Sequence, residues 1–250
     1  MTIILYDTPC QGEITTWSPY VWKARHCLNF KGIPYKTEWV EFADIESHFK
    51  KLGINPTGKN RWDGGDFYTV PAIHDTETGA YISDSWLIAE YLEKQYPDTP
   101  TLFPGNTKGL QAAFTAAHLT TILPMRPYIV PRTPARLSER SGQYFRRTRE
   151  AEFGKKLEDV IPQGDQAKED WKKFEDSFNM LNTWFKATDE KGLFMLGETS
   201  SWADLNMASF LKWMRFNFGE DSEEWKRILS WNEGRWDNLV KAFDKYSAIV

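Results

Sequence analysis

Three prolines, Pro97, Pro100 and Pro104, fall within residues 96–105, and no regular element can run through them. Each lacks the N–H that a helix or a strand ladder needs, and each fixes its own φ. The segment reads as a surface connector, 97–105, between two units at 1–96 and 106–250. The hydrophobic pattern changes across it. Before it, short apolar runs alternate with helical spacing; after it, every long segment tolerates helical periodicity and none alternates convincingly as a strand. A chain of 250 residues with 41% hydrophobic content can bury one large core or two modest ones.

In the first unit, the apolar run 3–6 suits a buried strand, and the turn-rich stretch 7–12 follows it. Ser18 then reads as a helix N-cap with Pro19 in the first helical position; Val21, Ala24, Arg25 and Leu28 continue at helical spacing up to Gly32. The free N–H groups and positive dipole end of such a helix favour a nearby anion, for which a thiolate is one candidate. The same serine would serve equally as a plain cap. A strand over 35–42, a short helix over 44–52, a Gly-, Asn- and Asp-rich loop over 55–66, strands at 70–73 and 80–82, and a helix over 86–95 capped by Asp84 or Ser85 complete a βαβα-ββα order. In the second unit, helices are predicted over 110–122, 138–157, 166–187 and 202–216, and the proline-rich interval 124–134 separates the first two. Ser201-Trp202-Ala203-Asp204 reads as a capping box.

Composition narrows the function. A net charge of -4 gives no footprint for nucleic acid or an anionic membrane, and the run Arg146-Arg147-Thr148-Arg149, soon followed by Glu150 and Glu152, reads as a solvated helix face. No signal-peptide pattern and no membrane-length apolar segment are present, so a cytoplasmic protein is expected. Cys10 and Cys27 form neither a disulfide framework nor a Cys-x-x-Cys pair, and His26, His48, His74 and His118 lack metal-site spacing, so no metal is expected. Twelve tryptophans favour a thick core or an aromatic-lined pocket.

Taken in order, these motifs resemble the cytosolic glutathione transferases of the serine type. The stretch from Ser18-Pro19-Tyr20 to Arg25 is similar to their active-site helix, Val70-Pro71 to their cis-proline, Asp84-Ser85 to the acidic-Ser pair opening their third helix, and residues 197–204 to the capping loop of their second domain. The likeness is greatest to the fungal etherase-related class. It implies a thioredoxin-like α/β N-terminal domain followed by an all-α domain, glutathione as co-substrate, and a homodimer. It assigns Ser18 as donor to the glutathione thiolate, with Thr15 and Thr16 as nearby alternatives, Val70 and Pro71 to the cysteinyl part, and Asp84 and Ser85 to the γ-glutamyl part. Lys59 or Arg61, in a loop longer than usual for the family, could meet the glycine carboxylate. Tyr20, Leu119, Leu123, Met125, Tyr128, Trp213 and Phe216 are candidates for a hydrophobic acceptor site, each equally able to be core. The activity implied is transfer of glutathione to aromatic electrophiles, aryl ethers included. A ligandin holding polyphenols without turnover, or a regulatory relative, would keep the same fold. A mixed-disulfide role for Cys10 is disfavoured by its position well upstream of the helix start.

Overall fold

The first strand, β1 (Ile3–Asp7), sends Ile3, Leu5, Tyr6 and Asp7 into the interior. A strand buried on both faces belongs in the middle of a sheet. In the computed structural model, which describes residues 2–12, 16–60 and 63–250, β1 lies between β2 (Tyr35–Trp39) and β5 (Ala72–Asp75), and β6 (Ala80–Ser83) forms the far edge. The β1–β2 pair is parallel, with Ile3 opposite Tyr35, and the other two pairs are antiparallel. A parallel pair needs a crossover, which α1 (Pro19–Lys31) supplies. A short helix α2 (Ile45–Leu52) buries Ile45 and Phe49. The stretch expected to be a loop instead folds into its own hairpin, β3 (Gly58–Lys59) with β4 (Asp66–Phe67). The Gly, Asn and Asp content that signalled a loop is the turn chemistry of that hairpin. Helix α3 (Ser85–Gln95) completes the thioredoxin-like half.

The second half is helical: α4 (Lys108–Ile122), α5 (Arg126–Ile129), α6 (Glu139–Phe153), α7 (Gly164–Lys186), α8 (Trp202–Phe218), α9 (Glu223–Ser230) and α10 (Arg235–Asp244). The last two were not expected. Their signals were present, since Ser222 caps α9 and Trp236, Leu239, Val240 and Phe243 bury one face of α10 at helical spacing.

Helix α1 is enclosed between the sheet and α8, and this explains why it is not amphipathic. Its polar residues must therefore find partners inside. Arg25 forms a fully buried ion pair with Asp7 at 2.9 Å and also donates to the Tyr35 and Thr37 hydroxyls. His26 contacts Ser209 of α8 at 3.0 Å, and Lys31 pairs with Glu93 of α3 at 2.7 Å. Every residue of α8 except Arg215 is buried. The C-terminal tail returns to the sheet, where the Val250 carbonyl accepts from the Thr37 N–H at 2.8 Å.

The expected capping box opens α8. The Asp204 carboxylate accepts from the Ser201 N–H, the Ser201 hydroxyl and the Met195 N–H, each at 2.8 Å. Asp204→Ala should lower unfolding free energy by about 2 kcal/mol, read by denaturant titration, because buried donors lose their acceptor. Burial outweighs the three donors and raises this carboxyl from 3.8 to about 6. The native chain then holds a proton that the unfolded chain has released. The Asp204 contribution to stability should therefore decline as pH rises from about 4 to 6 and stay level above that.

Candidate active site

Ser18 caps α1 with extended backbone angles, and its Oγ accepts the Val21 N–H at a long 3.5 Å. This cap uses the oxygen as acceptor and leaves the hydroxyl proton free to donate elsewhere. Pro19 follows at the first helical position, which needs no N–H. Ser18 lies on the wall of a cleft of about 740 Å³ between the two halves. Val70 shares that wall, and the Val70–Pro71 peptide bond is cis. Tyr20 stands at the start of α1 and is 40% exposed into the cleft region, with its ring edge-on to Phe210 at 5.9 Å. From the helical half come Leu119 and Leu123 at the end of α4 and Phe210 and Trp213 on α8.

Other candidates fall elsewhere. Met125, Tyr128 and Phe216 do not line the cleft and belong to the core. A 3-10 turn over Leu123–Met125 follows α4, and Met125 in it is fully buried. The Tyr128 hydroxyl donates to Asp170 at 2.8 Å, and its ring packs edge-on against Trp171 and Phe174. Phe216 borders a separate pocket of about 260 Å³ with Trp22 and Lys212. Phe210, missed in the sequence, sits one helical turn before Trp213 on the same face. Tyr144, Phe145 and Arg147 of α6 also line the cleft.

Asp84 and Ser85 hold the start of α3 and are not part of the cleft wall. Asp84 adopts a positive φ of 80, its N–H donates to the Pro71 carbonyl at 3.3 Å, and its Oδ1 accepts the Trp86 and Leu87 N–H groups. This ties the helix start to the cis-proline. Lys59 reaches the cleft and is paired across the hairpin with Asp66 at 2.6 Å. Arg61 and Thr15 lie outside the described residues. Thr16 is fully buried off the cleft wall that Ser18 lines. Burial pushes the Cys10 thiol up to about 11, against the thiolate that a mixed-disulfide role requires. Lys23 is buried beside this site, with Nζ 4.9 Å from the Tyr20 ring centre and 4.8 Å from that of Phe210; burial pulls its ammonium down to about 7, while Asp84 acts the other way.

A thioredoxin-like half bearing a helix-start hydroxyl and a cis-proline, closed by a helical half with an apolar wall, is the architecture of a thiol-peptide transferase. The chain belongs to the glutathione S-transferase family. The family models for the glutathione S-transferase N-terminal and C-terminal domains match residues 17–95 and 109–246. The chain is 31% identical to the glutathione S-transferase-like protein ustS of Aspergillus flavus, across 92% of this chain and 85% of that one. Among solved structures, glutathione transferase GSTFuA3 of Phanerochaete chrysosporium is 41% identical, with a TM-score of 0.93 over 100% of this chain and 99% of that one. A Ceriporiopsis subvermispora glutathione S-transferase, solved in complex with glutathione, is also 41% identical, with a TM-score of 0.93 over 99% and 98% of the two chains. These neighbours are of the fungal kind expected from the sequence. No helix among the described residues is long and apolar enough to cross a membrane.

Proposed function

We propose that this protein holds glutathione as a thiolate beside Ser18 and directs its sulfur at hydrophobic aromatic electrophiles, aryl ethers among them. The observation that carries this is the Ser18 hydroxyl, capping α1 on the wall of a cleft whose other side is apolar and aromatic. A free thiol titrates near about 8.5, and a fall of about 2 units needs about 2.7 kcal/mol. The dipole of α1 supplies about 0.3 to 2 kcal/mol. A hydrogen bond to a charged sulfur adds about 1.5 to 3 kcal/mol, so hydroxyl and helix together suffice where the helix alone falls short. Ser18 donates and does not attack. Val70 would pair with the cysteinyl backbone of glutathione and Lys59 would meet its glycine carboxylate, while the γ-glutamyl end would extend past the lined wall to Asp84 and Ser85 at the start of α3. The acceptor would lie among Tyr20, Leu119, Leu123, Phe210 and Trp213. We place the protein in the cytoplasm as a homodimer, and the outward-facing Leu87 and Leu110 give a second copy apolar surface to cover. Turnover of an aryl-ether probe with glutathione tests the reading. Tight binding of aromatics by the wild type without any turnover would make it a ligandin instead.

A further inference from the structure

The basic run on α6 faces both solvent and the cleft, and Arg147 is itself exposed where it lines that cleft. Arg146 points outward to Glu150 and Glu158, at 3.0 and 2.6 Å, whereas Arg147 and Arg149 line the cleft. Arg149 packs over the Phe145 ring and lies 3.8 Å from Glu152, a carboxylate already gripped by both amines of Arg126. Arg147 stands differently. Its guanidinium is held 5.3 Å over the Tyr144 ring, and it pairs with no carboxylate among the described residues. Tyr144 is half-buried, and burial raises its phenol, keeping the proton on as a donor. The carboxylates facing this wall from other elements are Glu46 of α2, paired with Lys50 at 2.6 Å, Asp66, paired with Lys59, and Asp63 in the β3–β4 hairpin, whose Oδ1 accepts the Gly65 N–H.

Building on the function proposed above, we propose that Arg147 and the Tyr144 hydroxyl form a carboxylate-recognising subsite, so that the acceptors favoured here are planar aromatic acids. The guanidinium fork matches a carboxylate with two parallel hydrogen bonds, and stacking on Tyr144 orders that fork before the ligand arrives. The ring of the acid lies against the aromatic wall, which includes Phe42, edge-on to Tyr144 at 5.7 Å.

The test compares chlorodinitrobenzoate with its neutral methyl ester. In both reactions the glutathione sulfur bonds to the ring carbon, chloride leaves with the electron pair of the C–Cl bond, and the thiol proton passes to solvent. For Arg147→Gln, the acid-to-ester ratio of kcat/KM should fall about 5- to 10-fold relative to wild type. Asp63→Asn removes a like charge and should raise the ratio about 2-fold. An unchanged ratio in Arg147→Gln overturns the subsite, as does a rise in KM for glutathione by the same factor, which would make Arg147 a glutathione contact. Should neither compound be turned over, the transferase reading fails. The subsite is then judged by tryptophan-fluorescence titration with dinitrobenzoate and its methyl ester, where equal affinity ratios in wild type and Arg147→Gln would sink it.

Discussion

Arg25→Met is expected to lower the unfolding free energy by about 3 to 5 kcal/mol, because it strands Asp7 as a buried charge without its counter-ion. Both side chains are fully buried in the native chain. In a protein of this size, that loss moves the melting temperature down by roughly 6 to 20 °C. The variant should also carry a pH signature. Burial already raises the Asp7 carboxyl above its usual range, against the pull of Arg25 and of hydrogen bonds. Without Arg25 the carboxyl rises further, and the native chain binds a proton that the unfolded chain has lost. The deficit of the variant should therefore shrink as pH is lowered and reach its full size once Asp7 ionises. Asp7→Asn combined with Arg25→Met should recover part of the loss. A single variant that melts within a degree of wild type would show that the pair contributes nothing of this size.

Ser18→Ala should reduce kcat/KM with glutathione by about 10- to 150-fold, the equivalent of one hydrogen bond to a charged sulfur. The acid limb of the pH–rate profile should move up by about 1 to 2 units, because the thiolate is then favoured by the α1 dipole alone. Thiolate absorbance in the ultraviolet, followed with bound glutathione, reads the same shift without an acceptor. The long 3.5 Å cap contact means that the fold itself should lose little, about 1 kcal/mol or less. An unmoved pH profile with normal glutathione affinity would assign thiolate stabilisation to another donor.

The helix start at Ser18 and a cap at Asp84 or Ser85 were legible because each depends on local chemistry, a side-chain oxygen near free N–H groups; the cis form of Val70–Pro71 was expected only from the family resemblance. Helix α1 was found through its ends. Its buried polar residues obscured the pattern, since Lys23, Arg25 and His26 look solvated until the sheet and α8 are seen to cover both faces. The acceptor wall was harder still. Leu119 and Leu123 line the cleft, whereas Met125, beside the proline-rich interval that ends the helix, turns into the core, and residue type alone does not separate the two outcomes. Arg147 reads as solvated in the sequence and is exposed; what the basic run could not tell is that its exposed side opens onto a cleft formed by residues about a hundred positions away.

With the sheet on one side of α1 and α8 on the other, neither half owns a complete interior. Residues 1–96 made alone would wet Trp22 and His26, which the intact chain keeps dry. Calorimetry should accordingly record one cooperative transition, and a ligand seated on either wall should shift the whole of it.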